Sequence, residues 1–333
     1  MKSQSIFFIF ILNASLGFAQ KNARPGDEML LEYYQTQRFA DAADYLKRTY
    51  PEPVNDSKAL SSLAYSSQMA GRLGEAESYY QRILEKDSTN TAVLYNLGGI
   101  NLRRGNSPRA LIFFKKILNR DSTNVSVYKQ LAILSKNTGD IPASINYLQK
   151  ANKLDPKDPD VAFNLVQIYA GLNFFNQAAK ILEPALTADT ANLLLLQAKA
   201  QVNFMLKNYT ETTIICTKLI AQGQRTNSII SWLGESWFML RQYQHCINTF
   251  LILDTLKMAN ETSCYYIGMS YKALNDQQRA VTYLLEAIKQ GISPNIDSYY
   301  SEIGDSYERI HLYKKSATAY QKSLEFDEKA LTY

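Results

Sequence analysis

Residues 91–124 read TAVLYNLGGINLRRGNSPRALIFFKKILNRDSTN. Apolar residues recur through this stretch every three or four positions, the period of an amphipathic helix rather than the alternation of a strand. Gly105-Asn106 breaks the pattern near its middle, and Asp121-Ser122-Thr123-Asn124 closes it. The stretch therefore reads as two helices joined by a tight turn. Its closing tetrad has a twin 34 residues earlier, Asp87-Ser88-Thr89-Asn90, and partial copies 34 and 68 residues later, at Asp155-Pro156 and Asp189-Thr190. Four aspartates at one spacing mark an array of repeats.

Placing Leu97-Gly98 at positions 7 and 8 gives repeats that begin at Ala23, Ser57, Thr91, Val125, Pro159, Leu193, Asn227 and Glu261, with no insertion. A ninth begins at Asp297, two residues late, because Gly291 to Asn295 lengthens one connection, and it ends at Ala330. Position 8 is mostly small (Ala64, Gly98, Ala132, Ala200, Gly234, Gly268, Gly304), as is position 20 (Ala42, Ala76, Ala110, Ser144, Ala178, Ala280). Position 24 is mostly large: Tyr80, Phe114, Leu148, Leu182, Phe250, Leu284, Tyr320. Small columns belong where helices cross closely, and the large one supplies a knob for the neighbour. The sixth repeat departs from this, with Cys216 as its knob and Lys199 at position 7, and is expected to be the soft spot.

Gly71, Gly105, Gly139, Asn173 and Asn275 stand at position 15, where a left-handed residue can end the first helix. Pro108 and Pro142 follow where a missing amide costs little. The Asp-Ser-Thr-Asn closures offer oxygen acceptors to the free amides of the next helix. In the second helix of the fourth repeat, Tyr147, Leu148, Ala151 and Leu154 are expected on one buried side. One such helix pair cannot bury its own apolar face; stacking does so, and stability becomes a sum over neighbouring interfaces.

Met1 to Ala19 reads as a secretory signal: Lys2, the apolar run Ile6 to Leu12, and the small-x-small site Gly17-Phe18-Ala19. Its apolar part is shorter than the ~20 residues of a membrane span, an uncleaved anchor or a buried first helix being the other readings. The chain is thus expected to be exported, to the periplasm or the extracellular space with outer-membrane association included, and not to be integral to a membrane once the signal is removed. The net charge of +5 is spread along the chain with no dense basic stripe, which argues against nucleic acid as a partner. Cys216, Cys246 and Cys264 fall at packing positions and read as small buried hydrophobes; a Cys246–Cys264 bridge is the other reading. The only histidines, His245 and His311, are far apart in the frame, and no Cys-x-x-Cys or phosphate-cradling glycine loop occurs. No enzyme, metal site or cofactor is therefore expected.

The arrangement resembles the tetratricopeptide repeat family over about residues 23 to 330. The pieces that carry the likeness are Tyr95-Asn96-Leu97-Gly98 through Ala110 and Phe114, Ser231-Trp232-Leu233-Gly234 through Trp237 and Phe250, and Tyr266-Ile267-Gly268 through Tyr271 and Ala280. Proline at the family's position 32 is met only by Pro156. The resemblance implies an all-α, right-handed superhelical solenoid of about nine stacked helix-turn-helix units. Composition and export signal also look like those of envelope proteins of the Bacteroidetes group.

In proteins resembling this one, the first helices line a concave face, with positions 2, 5, 9, 12 and 13 pointing inward, of which 5, 9 and 12 carry most of the aromatics here. The residues this nominates for partner binding are Tyr65, Tyr95, Asn96, Lys129, Phe163, Asn164, Gln167, Gln201, Phe204, Phe238 and Tyr265, with Tyr34 at the start of the row. Two readings stay open for the aromatics: anchors for an extended peptide or partner helix, or rings tucked between adjacent first helices. A carboxylate clamp found in some members is broken here, since Lys129 fits its lysine position but Ile133 replaces its asparagine and Leu194 occupies a further position. Glu302, Asp305 and Glu308 give the last repeat an acidic wall, read as a soluble cap or as a contact for a basic segment. The expected function is a non-catalytic scaffold of the cell envelope that binds a protein or peptide. The alternatives are a structural adaptor subunit of a membrane-associated complex, peripherally attached, and a glycan- or peptidoglycan-binding module.

Overall fold

The computed structural model describes residues 25–290 and 295–330. The signal Met1–Ala19 and most of the lengthened connection lie outside the described residues. Among the described residues there are eighteen helices and no strand. They pair in chain order as α1 Pro25–Gln35 with α2 Phe39–Thr49, α3 Ser57–Met69 with α4 Leu73–Lys86, α5 Thr91–Arg103 with α6 Ser107–Leu118, and α7 Val125–Asn137 with α8 Ile141–Leu154. Next come α9 Pro159–Gly171 with α10 Phe175–Ala188, α11 Leu193–Met205 with α12 Tyr209–Ala221, and α13 Asn227–Met239 with α14 Tyr243–Thr255. The last pairs are α15 Glu261–Ala273 with α16 Gln277–Gln290, and α17 Ile296–Arg309 with α18 Tyr313–Ala330. The chain divides into two compact bodies, Met1–Ala151 and Asn152–Tyr333. Each is an all-α solenoid-like stack of helix pairs, and together they hold nine pairs.

The closures work in two steps. Asp87 Oδ1 accepts the Thr89 amide at 3.0 Å and its hydroxyl at 2.7 Å, which folds the loop. Asn90 Oδ1 then accepts the Val93 amide at 3.1 Å and caps α5. The same division of labour recurs at Asp121 and Asn124, Asp155 and Asp158, and Asp189 and Asn192. Two later connections close differently, through Gly223 and Lys257 with φ of 85° and 56°.

At the inner turn, position 15 has positive φ in all nine pairs, between 57° at Gln37 and 80° at Gly139. Its amide bonds back to the first helix's last turn, and the next residue's amide reaches one residue deeper, as in Gly105 to Leu102 and Asn106 to Asn101. Five of these residues are Gly or Asn; the other four are Gln37, Lys207, Arg241 and His311.

Positions 8 and 24 meet as knob and socket. A Cβ on Gly98 would lie 2.5 Å from the Phe114 ring, and one on Gly234 would lie 2.4 Å from Phe250. Both rings are fully buried. In the first body Phe114 belongs to a core that includes Leu60, Leu63, Leu97, Ile100, Ile117 and Leu131. In the second, Leu182, Leu195, Cys216, Leu219 and Ile229 form one core cluster and Phe250, Leu253 and Ile267 another.

Three details bear on the reading of the sequence. Leu154 is 42% exposed because α8 leaves the core at its last turn. The helix of the ninth repeat begins at Ile296, one residue before Asp297. In the sixth repeat Cys216 is fully buried, and Lys199 turns aside to Glu211 at 3.7 Å. All three cysteines are free and buried, with burial pushing the Cys216 and Cys246 thiols up to about 12.

Candidate functional site

Positions 5, 9 and 12 follow one side of each first helix, because residues three or four apart share a helical face. In the first body this side opens with an aromatic triangle of Tyr34, Phe39 and Tyr65. Its ring centroids lie 6.1, 5.8 and 6.0 Å apart, and two of the three contacts are edge-on. The Tyr34 hydroxyl lies 2.9 Å from Ser66 Oγ, and burial pushes the Tyr34 and Tyr65 phenols up. One repeat further, the Tyr95 hydroxyl accepts the Gln130 amide at 3.1 Å, and its ring meets Phe114 edge-on at 6.0 Å. Tyr95, Asn96 and Lys129 are all half-buried, while Ile133 beside Lys129 is 43% exposed.

In the second body Phe163 packs onto the core and is half-buried. The Asn164 amide is spent on its own helix, donating to the Asp160 carbonyl at 2.8 Å, whereas Gln167 is exposed and Gln201 half-buried. Phe204 leans on Tyr209 with ring centroids 6.2 Å apart. Phe238 is held between Tyr243 at 5.6 Å and Tyr266 at 5.1 Å. Tyr265 stacks on Tyr299 at 4.8 Å, and the Tyr299 hydroxyl donates to Glu261 at 2.7 Å. The nominated aromatics are therefore neither bare on the surface nor shut in the core. Phe163 packs on the core, each of the others has a neighbouring ring beside it, and all keep part of their surface in solvent.

Glu235, Tyr266 and Gln130 did not stand out from the sequence as partners of these rings. The Tyr266 hydroxyl donates to Glu235 at 3.4 Å, and burial raises the Glu235 carboxyl above the usual carboxylate range. The signal that could have found them is a separation close to one period, 31 residues for this pair and 35 for Tyr95 with Gln130.

The acidic wall is internally compensated. Lys272 reaches both Glu302 and Asp305, the latter also 3.3 Å from Arg309, and Glu308 accepts the Tyr320 hydroxyl at 3.3 Å. Glu302 and Asp305 thus tie the last two pairs together through Lys272. Among the described residues no group of His, Cys, Asp and Glu is placed to hold a metal ion. His245 lies against Trp237 with centroids 5.0 Å apart, and His311 Nδ1 is 3.0 Å from the Tyr313 hydroxyl.

Residues 60–290 match the family model described as the cilia and flagella-associated protein 70 middle TPR-like domain. The chain belongs to this tetratricopeptide-repeat-like family. Among solved structures it is similar to the C-terminal part of a TPR repeat-containing protein from Cytophaga hutchinsonii. That likeness has 16% identity and a TM-score of 0.51, covering 79% of this chain and 94% of that one. A tetratricopeptide repeat protein from Parabacteroides merdae has 19% identity and a TM-score of 0.48, over 78% of this chain and 98% of its own. Pseudomonas aeruginosa pilF has 17% identity and a TM-score of 0.48, over 66% of this chain and 99% of its own. No curated protein matches the chain. The family fold supports a general protein-binding or scaffold role; among the described residues no helix is long and apolar enough to cross a membrane.

Proposed function

We propose that the chain is a non-catalytic scaffold of the cell envelope, exported by the leader Met1–Ala19, which holds a protein or peptide segment against the first-helix side of its repeats. The observation that carries this is the half-burial of Tyr65, Tyr95, Phe163, Phe204, Phe238 and Tyr265. Rings braced by their neighbours yet still partly exposed lose little freedom on binding and bring large apolar area, the profile of interface anchors. Gln167 and Gln201 lie on the same side of α9 and α11 and would meet the backbone of an extended segment. Within the second body the half-buried Glu235 beside Phe238 and Tyr266 favours a cationic side chain at that point of the bound segment.

The test is capture of partners from a native envelope extract by the full chain, compared with a Phe163→Ala, Phe204→Ala, Phe238→Ala variant, each read by quantitative mass spectrometry. The expected result is at least one protein reduced tenfold or more by the substitutions while helicity and the cooperative melt persist. An identical set of captured proteins from both chains would overturn the reading. Retention of peptidoglycan fragments with no protein captured would favour a glycan-binding module instead.

A further inference from the structure

The inner turns of stacked helix pairs lie along one edge, since each pair packs on the next with the same handedness of turn. Turn tips facing water are ordinarily built from small and polar residues. The first body obeys this. Its turns carry Gln37, Gly71, Gly105 and Gly139 at the tips, and Met69 is the one large apolar residue at this edge more than a third exposed. Four of its arginines are tied down, Arg38 to Asp41, Arg72 to Asp44, and Arg104 and Arg109 to Glu77, while Arg103 stands exposed with no apolar tip residue beside it in its turn.

The second body breaks the rule at the same positions. Phe174, Met205, Met239, Leu274, Leu312 and Tyr313 stand there between 41% and 62% exposed. They recur roughly once per repeat, so they form a row rather than a pocket. Bases are interspersed with them. Lys207 and Arg241 occupy the turn tips themselves, both exposed and neither with an acidic partner, and Lys314 follows Tyr313. The acids of this edge are already engaged, Glu211 by Lys199 and Asp276 by Arg279.

We propose that the inner-turn edge of the second body docks on an anionic lipid surface. Long, flexible apolar side chains on protruding tips can enter the headgroup boundary without a complementary groove. Lysine and arginine beside them complement anionic headgroups while their stems lie along the apolar layer. The charge pattern makes the choice. A row with bases left unpaired matches a diffuse negative surface, and its spacing of one side chain per repeat offers no continuous cleft to a helix or strand. Met205 and Met239 stand one helical turn after Gln201 and Glu235, so this edge borders the first-helix side proposed above, and the vesicle titration below tests it separately from partner capture.

The experiment places an environment-sensitive fluorophore on the full chain at Met239→Cys, the native thiols being buried, and at Arg103→Cys as the equivalent position of the first body. The chains are titrated with phosphatidylglycerol-containing vesicles and with pure phosphatidylcholine vesicles. The expected result is a blue shift at position 239 with the anionic vesicles alone and none at position 103. Lys207→Gln with Arg241→Gln should weaken the response by on the order of tenfold or more, from two basic contacts at an anionic surface. No shift at 239, an equal shift at 103, or an equal response to phosphatidylcholine would overturn the proposal. A shift at 239 with an envelope protein fraction and none with vesicles would assign the edge to a protein and overturn it as well.

Discussion

A missing methyl group at residue 98 is what allows the Phe114 ring to lie against the backbone of α5. Adding it brings a carbon to 2.5 Å from the ring, inside any real contact. Gly98→Ala should therefore destabilise the protein by about 1–3 kcal/mol through overpacking, measured by urea denaturation; a change below a few tenths would mean the ring can slide away. The turn tips make the opposite case. Gln37 holds a φ of 57° that costs a side-chain-bearing residue more than glycine. Gln37→Gly should stabilise by about 1 kcal/mol, read as a higher denaturation midpoint with unchanged slope. At this scale the sequence was legible where chemistry is restrictive. Gly71, Gly105, Gly139, Asn173 and Asn275 announce left-handed turns, whereas Gln37, Lys207, Arg241 and His311 adopt the same conformation only because the stacked pair demands it.

Among the elements, the closures before α5 and α7 carry a pH signature. The Thr89 hydroxyl, with the Thr89 amide next, holds the Asp87 carboxyl below its ordinary range, and Thr123 does the same for Asp121. A carboxyl depressed in the folded state contributes stability that is present above its unfolded pKa and lost as pH falls through the lower folded value. Asp87→Asn with Asp121→Asn should thus lower the melting temperature at neutral pH, and the gap to the parent should close below about pH 4. A gap independent of pH would assign the effect to the amide geometry alone. Helix limits and turn types were readable because caps and periodicity are local. The braces of the candidate side were not: the Gln130–Tyr95 and Tyr266–Glu235 contacts depend on how far each pair rotates against the next, which no single repeat encodes.

At the scale of the molecule, cohesion is carried from neighbour to neighbour. Phe250 is fully buried in a cluster that spans α13, α14 and α15. Phe250→Ala should cost about 3–5 kcal/mol and speed amide exchange in residues 209–273 well before it does so in α9 and α10 of the same body. Uniform loosening of the whole second body would show that its pairs melt as one block.

The unbroken phase of the repeats, from α3 at Ser57 to α15 at Glu261, also constrains how such a chain can change size. Excising residues 193–226, one whole period, would bring Asn227 to the end of the loop that now leads into Leu193, at the same step of the cycle. Cutting a length that is not a whole number of periods would present a socket where a knob is due. Growth and shrinkage of this molecule are quantised, in steps of a helix pair.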